Sequence, residues 1–257
     1  MGLETRKRYW LTGAGNGVGA SLAEAILKTG AYLAVSSRSV QSCEDLSARY
    51  PGQVLAVPGN LTDSQAVREI GEQIARQWGS LDTVILNAGT AEYIDGQPAD
   101  PLIIEHIVRS NLMAASLCIR TALPLLRAGN LSHLVGIASP VTYLPPSYTE
   151  ADGKGMRFVF ESARVDLAAE GIDVTLVHPG LDSPSRSPDD CFPAPVQWTA
   201  ETAAHHVLTQ LVERPPEVAL AVSSMTALWP LPSSTESMPT DVDSHKAGNG
   251  CPIKGQP

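Results

Sequence analysis

Two spacings of apolar residues alternate along the chain from about residue 9 to residue 222. Short, nearly continuous apolar runs are typical of buried strands, and they occur at residues 9–12, 32–36, 54–58, 83–87, 133–138, 174–178 and 218–222. Between them, apolar residues recur every three or four positions, as in amphipathic helices, over stretches that include 19–28, 64–78, 101–126 and 156–170. This repetition predicts an α/β fold with one doubly wound parallel sheet that carries helices on both faces.

Residues at the element ends and a change in composition indicate how the chain is organised. Gly30 and Gly171 follow predicted helices, where glycine commonly ends a helix, and Asp63 offers an N-cap side chain to another. Beyond about residue 231, Pro, Ser, Thr, Asp and Gly replace the periodic apolar residues. We therefore expect one domain over residues 1–230 and a flexible tail over 231–257; the alternative is a tail that folds back over the domain.

Length and charge narrow the classes of partner. A chain of 257 residues that is 43% hydrophobic and 18% charged can bury one large core. Its formal net charge of -9 would repel phosphate backbones and anionic head groups, so neither nucleic acid nor a membrane is an expected partner. No segment approaches the roughly 18 uninterrupted apolar residues of a membrane span, and the start has no signal-peptide pattern.

Cysteine and histidine spacing indicates neither a disulfide framework nor a metal site. Cys43, Cys118, Cys191 and Cys251 are scattered with no C-x-x-C spacing, and the histidines show no metal-ligand spacing. This usage is typical of a reducing compartment, so we expect a cytoplasmic protein.

A glycine-rich turn joins the first predicted strand to the first predicted helix. Glycines there let the backbone turn tightly, approach a pyrophosphate and present a positive helix N-terminus to it. The strand before and the helix after are the context that a Rossmann-like dinucleotide site requires. The candidate binding residues of this turn are Gly13, Gly15, Asn16, Gly17, Val18 and Gly19.

The residues after the second predicted strand indicate which dinucleotide is bound. A carboxylate at this place accepts from the ribose 2′-hydroxyl of NAD(H) and repels a 2′-phosphate. The chain instead has Ser36, Ser37, Arg38 and Ser39, which provide hydroxyls and a guanidinium. These donors favour NADP(H), with Ser37 and Arg38 as its candidate ligands.

The glycine-rich turn and a second motif together resemble a known family. Thr12-Gly13-x-x-x-Gly17-x-Gly19 and Asn87-Ala88-Gly89 are similar to the two sequence markers of the short-chain dehydrogenase/reductase family, over about residues 8–222. The resemblance implies that Asn87, Ala88 and Gly89 also line the cofactor site. It implies roles for further residues, namely Asn60 and Leu61 at the adenine, Asn111 and the catalytic serine Ser139 at the substrate, and Pro179 and Gly180 at the nicotinamide.

The expected catalytic pair of that family is displaced in this chain. In the family, a tyrosine exchanges a proton with the substrate carbonyl, and a lysine four residues later lowers the pKa of that tyrosine. Here Asp152 follows Tyr148 at +4, and Lys154 stands at +6, about 120° away on a regular helix. Matching Glu150 and Ala151 to the family places Asp152 at the tyrosine position. The alternative is a rebuilt loop in which Tyr148 and Lys154 keep the usual roles.

A carboxylate at the tyrosine position suits a cationic substrate. Loss of a positioned acid costs a neutral carbonyl on the order of 10²–10⁴ in rate. An iminium carbon is already electrophilic, and a nearby anion such as Asp152 stabilises its charge. Some fungal alkaloid-pathway members of this family carry an aspartate-containing motif there, reduce an iminium and steer a following cyclisation, and this chain resembles them in that replacement.

The sequence therefore predicts an NADPH-dependent oxidoreductase with a non-standard active site. Its expected small-molecule substrate is an imine or iminium of secondary metabolism, such as alkaloid biosynthesis. Three alternatives remain open: a carbonyl reductase or alcohol dehydrogenase that uses Tyr148 and Lys154, a catalytically silent NADP(H)-binding protein, and an enzyme that combines the reduction with a following cyclisation. The resemblance also implies homo-oligomers paired through helices 101–126 and 156–170, while the sequence leaves the oligomeric state open.

Overall fold

Seven parallel strands form one sheet at the centre of the molecule. The computed structural model describes residues 6–87, 101–138, 155–180 and 199–221. The strand order across the sheet is β3-β2-β1-β4-β5-β6-β7, and all six neighbouring pairs are parallel. The strands are β1 (Arg8–Thr12), β2 (Tyr32–Ser36), β3 (Val54–Ala56), β4 (Thr83–Leu86), β5 (His133–Ile137), β6 (Asp173–Gly180) and β7 (Glu217–Ala221). The helices are α1 (Gly17–Lys28), α2 (Val40–Arg49), α3 (Ser64–Trp78), α4 (Pro101–Arg127), α5 (Gly155–Ala168) and α6 (Ala200–Gln210).

This architecture confirms the predicted α/β fold, and the boundaries differ from prediction for local reasons. Asp63 caps α3 by accepting from the Gln65 amide at 2.8 Å, and Gly30 and Gly171 have φ of 85° and 69°. The strand predicted over 54–58 ends earlier, and Pro58 has no amide to continue it. The strand predicted over 174–178 runs to residue 180 because β7 pairs with it as far as Ala221.

Two hydrophobic clusters cover the two faces of the sheet. One packs α3, α4 and α5 against it, and the other packs α1, α2 and α6. The middle strands are apolar on both faces, as in Leu33, Ala34 and Val35, which are all fully buried. Continuous burial of this kind is expected for a parallel sheet covered on both sides. The predicted single core is thus divided by the sheet into two layers.

The ring of Phe160 on helix α5 reaches the backbone of strand β5 at Gly136. A β-carbon on Gly136 would lie 2.2 Å from the ring of Phe160, so no larger residue fits at this point of the strand. Phe160 is fully buried there. The contact fixes the height of α5 above the sheet, and α5 begins directly after the predicted catalytic segment.

Several predictions concern residues for which the description has gaps. Residues 222–257, with the predicted tail, lie outside the described ranges. Within those ranges, no helix combines the length and the apolar character needed to cross a bilayer.

Cys43 and Cys118 are free and buried, and burial raises the pKa of Cys118 to about 12. Neither thiol is therefore a candidate nucleophile.

Candidate functional site

The carboxyl ends of β1, β2 and β4 meet at the middle of the sheet, where the strand order reverses. From β1 the chain proceeds outward to β2 and β3, and it then returns to β4 on the other side of β1. In open parallel sheets this reversal opens a crevice at the carboxyl ends of the strands, where ligands bind. Gly13, Ser37 and Asn87, three of the predicted cofactor residues, directly follow β1, β2 and β4.

The glycine-rich turn after β1 is packed too tightly for side chains. Gly13 has φ of 66°, and its amide donates to the Ser36 carbonyl at 2.8 Å. A β-carbon on Gly13 would lie 2.2 Å from the Asn87 carbonyl oxygen, and one on Gly19 would lie 2.0 Å from the Gly13 carbonyl oxygen. Both positions therefore require glycine, as the cofactor prediction supposed.

Asn87 joins the end of β4 to this turn. Its side-chain amide nitrogen donates to the Gly13 carbonyl at 3.1 Å. Helix α1 begins beside it with Asn16 as an extended N-cap residue whose side chain makes no capping bond. The first amides of α1 are thus left uncapped by this side chain, as suits an anionic ligand at a helix N-terminus. Val18 is 2% exposed and belongs to the core, so only its backbone can face the crevice.

Hydroxyl groups cluster where β2 ends. The Ser37 hydroxyl accepts from the Ser39 amide at 3.2 Å and lies 2.9 Å from the β-carbon position of Gly15. Ser39 caps α2 by accepting from the Ser42 amide, and the Ser42 hydroxyl donates to it at 3.0 Å. Arg38 is exposed between them. Three serine hydroxyls and one cationic side chain therefore lie close together at the end of β2.

The turn after β3 lies next to this hydroxyl cluster. The Gly59 amide donates to the Ser37 carbonyl at 3.1 Å. Asn60 then accepts from the Thr62 amide at 3.1 Å and from the Thr62 hydroxyl at 2.8 Å. The Asn60 side chain thereby shapes the turn itself, a role that a carboxylate would fill equally well. Leu61 follows it, half-buried against the core.

Within the part of the chain that the structure describes, two buried polar groups have no hydrogen-bond partner. They are the side-chain amide nitrogen of Asn111 on α4, with the residue 4% exposed, and the hydroxyl of Thr12 at the end of β1. An unsatisfied buried donor costs about 1–3 kcal/mol. The side chain of Asn111, which the sequence analysis assigned to the substrate site, therefore has a buried donor that is available for a hydrogen bond.

Several predicted site residues lie outside the described ranges. They are Ala88, Gly89, Ser139, Tyr148, Asp152 and Lys154. The described chain nevertheless bounds the segments that carry them. Strand β5 ends at Ile137, two residues before Ser139, and α5 begins at Gly155, one residue after Lys154. Pro179 and Gly180 end β6 at the same edge of the sheet, paired with Leu220 and Ala221.

Sequence reasoning missed an ionic cluster near this end of β6. Glu217, the first residue of β7, lies 2.8 Å from the Arg157 guanidinium of α5 and 3.4 Å from the imidazole of His178. Arg157 is the third residue of α5, where a cation opposes the helix dipole. This unfavourable local position of Arg157 was the only sign of the cluster in the sequence, and it does not identify Glu217 as the partner of Arg157.

His133, by contrast, is a buried residue of β5. It is 3% exposed, and its ring nitrogen lies 2.8 Å from the Thr175 hydroxyl. Burial lowers the pKa of His133 to about 4, so the ring is neutral at pH 7. Among the described residues, no three His, Cys, Asp or Glu side chains are grouped as metal ligands.

Comparison with known proteins gives one consistent result. The sequence pattern described as short chain dehydrogenase matches residues 7–186. An uncharacterized oxidoreductase of Mycobacterium tuberculosis is 30% identical over 186 residues, which cover 68% of this chain and 73% of that protein. The cis-4-hydroxycyclohexanecarboxylate dehydrogenase of Sinomonas cyclohexanicum is 30% identical over 230 residues, 84% of this chain and 88% of the other. A short chain dehydrogenase from Burkholderia cenocepacia, solved in complex with NADP, has the same fold, with a TM-score of 0.66 at 22% identity over 84% of this chain and 96% of that chain.

Proposed function

The chain belongs to the short-chain dehydrogenase family of oxidoreductases, and from this premise we propose that it is an NADPH-dependent reductase of imines or iminium ions. The observation that carries the proposal is the glycine cradle at β1, and it is supported by the sequence spacing that predicts Asp152 at the position of the family's tyrosine. The first supports nicotinamide dinucleotide binding, and the second supports a substrate that needs no proton donor.

The residues present fit a dinucleotide. At Gly13 and Gly19, β-carbons would collide with backbone atoms, so the chain keeps a space there that only glycine leaves open. The adjacent N-terminus of α1 is not closed by Asn16 and can receive a pyrophosphate. The turn of Asn60 stands beside Ser37, on the side expected for the adenine.

The hydroxyl cluster and Arg38 support NADPH over NADH. Ser37 and Ser39 hold hydroxyls at the end of β2, and no carboxylate stands among residues 36–43 to repel a 2′-phosphate. The exposed guanidinium of Arg38 can form charge-assisted hydrogen bonds with such a phosphate.

Asp152 defines the proposed chemistry. A bound NADPH supplies a hydride to the substrate carbon. When that carbon belongs to an iminium, the C=N π electrons pass to nitrogen, the cation becomes a neutral amine, and no proton has to be delivered. The Asp152 carboxylate then serves by stabilising the substrate cation before transfer. With a neutral imine, a protonated Asp152 would supply the proton to nitrogen.

One comparison favours a second candidate function. The relative from Sinomonas cyclohexanicum is named as a dehydrogenase of a hydroxylated ring acid, and such a reaction interconverts an alcohol and a ketone. In this alternative, Tyr148 and Lys154 take the family's usual roles on a rearranged turn. Carbonyl reduction then needs the Tyr148 hydroxyl to deliver a proton to the substrate oxygen.

A paired substrate screen tests the proposal. The protein is incubated with NADPH and, in parallel, with cyclic iminium compounds and with ketones, and oxidation of NADPH is followed by absorbance. We expect turnover on the iminium panel. Turnover confined to ketones would establish the carbonyl-reductase alternative, and NADPH binding without oxidation on either panel would indicate a catalytically silent binding protein. Product analysis would show whether a cyclisation follows reduction.

We also propose that the protein forms homo-oligomers through α4 and α5. Three large apolar side chains are exposed on these helices, Met113 at 51%, Phe158 at 69% and Val165 at 76%. Burial of this surface against a second copy would remove it from water. Light scattering at several protein concentrations tests this proposal, and a monomeric mass throughout would contradict it.

A further inference from the structure

The ionic cluster of Arg157, Glu217 and His178 joins three elements at the edge of the proposed active site. The Arg157 guanidinium contacts both Glu217 carboxylate oxygens, at 2.8 and 2.9 Å. Glu217 also lies 3.4 Å from the His178 ring, and Arg157 lies 3.3 Å from Glu161. The cluster therefore connects α5, β7 and the end of β6 through one carboxylate.

The local positions of Arg157 and Glu217 are both unfavourable without this contact. Arg157 lies in the first turn of α5, where a cation opposes the helix dipole. Its pairing with Glu161 has the weaker order, with the cation four residues before the acid. Glu217 opens a strand, where glutamate is depleted. Because neither position is explained by local propensity, the contact between elements is the better explanation for both.

A second arginine shows what the cluster adds. Arg164, two turns further along α5, donates to the carbonyls of Val174 at 3.2 Å and Pro216 at 2.6 Å. It fastens α5 to the same edge of the sheet, about 10 Å farther from the helix start. Phe160 holds the helix down between these two points. In the first turn, whose backbone amides have no intrahelical acceptors, the polar contact of Arg157 adds to the burial of Met156 in the core.

The cluster reaches the two segments that the reaction requires. Helix α5 begins one residue after Lys154 and three after Asp152. His178 directly precedes Pro179 and Gly180, the proposed nicotinamide-side residues. We propose that Glu217 is a positioning residue that fixes these two segments relative to each other by binding Arg157 and His178 together. This inference rests on the proposed function for its catalytic meaning, while the restraint itself concerns the protein alone.

The restraint is tested first without cofactor, by hydrogen exchange. Glu217→Gln keeps the size of the side chain and removes its charge, and Arg157→Met keeps most of the apolar stem. We expect each to speed amide exchange by about fivefold in both segments 155–160 and 176–180. Arg164→Met is the matched control, and it should leave the first turn of α5 unchanged. Faster exchange in only one of the two segments, or equal effects of Arg164→Met, would overturn the proposal.

Ligand binding then separates positioning from general loosening. In Glu217→Gln, the dissociation constant for NADPH should rise at least about threefold, while that for 2′,5′-ADP, which lacks the nicotinamide half, should change less than about twofold. The double variant Arg157→Met/Glu217→Gln should bind NADPH no more weakly than Glu217→Gln alone, since Glu217→Gln already removes the contact that Arg157→Met removes. Equal losses for both ligands, or additive losses, would contradict the proposal. If the wild type bound neither ligand, the proposed function would fail, and the exchange result alone would decide the restraint.

Discussion

At the scale of single residues, cofactor choice depends on the side chain that follows Ser37. We predict that Arg38→Asp inverts a preference for NADPH over NADH, with a change of about 10²-fold in the affinity ratio, because a cation that binds the 2′-phosphate becomes an anion that repels it. Fluorescence titration with both cofactors measures this ratio. Arg68→Asp, the same charge change on the exposed face of α3, is the control and should leave the ratio unchanged. Equal affinities in the wild type would remove the premise.

Also at the residue scale, the proposed chemistry depends on Asp152. Asp152→Ala should lower kcat/KM for an iminium by about 10² or more, which corresponds to roughly 3 kcal/mol, because the carboxylate no longer binds the substrate cation. Binding of NADPH should stay nearly unchanged, because the proposal assigns the Asp152 carboxylate to the substrate and not to the cofactor. Tyr148→Phe is the matched comparison and should matter far less. The reverse ranking, with Tyr148 essential and Asp152 dispensable, would support carbonyl reduction.

At the scale of elements, the β1–α1 turn tolerates no added carbon at Gly19. We predict that Gly19→Val lowers NADPH affinity by about 10² or more, because its β-carbon would lie 2.0 Å from the Gly13 carbonyl oxygen and force the turn open. Far-ultraviolet circular dichroism should still report an α/β protein. Ala25→Val adds two methyl groups to the same helix away from the turn, and it should bind NADPH normally. Undiminished affinity in Gly19→Val would show that the turn does not hold the cofactor.

The pairing of β5 with β6 carries a pH dependence through His133. Its pKa is lowered to about 4 in the folded protein, against about 6.5 when unfolded. Above pH 6.5 both states are neutral; as the pH falls towards 4, only the unfolded chain takes up the proton, and stability drops by about 3 kcal/mol. Urea unfolding at pH 7.0, 5.5 and 4.5 measures this effect. In His133→Gln the free energy of unfolding should vary less with pH. The same pH dependence in both proteins would show that His133 does not cause it.

At the scale of the whole molecule, the layered fold could be predicted because each strand is indicated by a short apolar run within its own residues. The cap at Asp63 and the turn at Gly13 are likewise local. Helix α2 was not identified, since only Cys43 and Leu46 are buried on it and the periodic signal is too short. The contact of Arg157 with Glu217 spans 60 residues, and no spacing rule reaches that far. For the same reason, the order of the strands across the sheet was not predicted.

The ring of Phe160 takes the space that a side chain at residue 136 would need, and this has a consequence for how the sequence can evolve. Neither position can change size alone: Gly136→Ala would meet the ring, and Phe160→Ala would leave a void beside the glycine. Descendants of this gene should therefore exchange the two residues together, with a larger residue at 136 accompanied by a smaller one at 160. A protein with only one of the two substitutions would be less stable. Related proteins should therefore differ from this one at both positions or at neither.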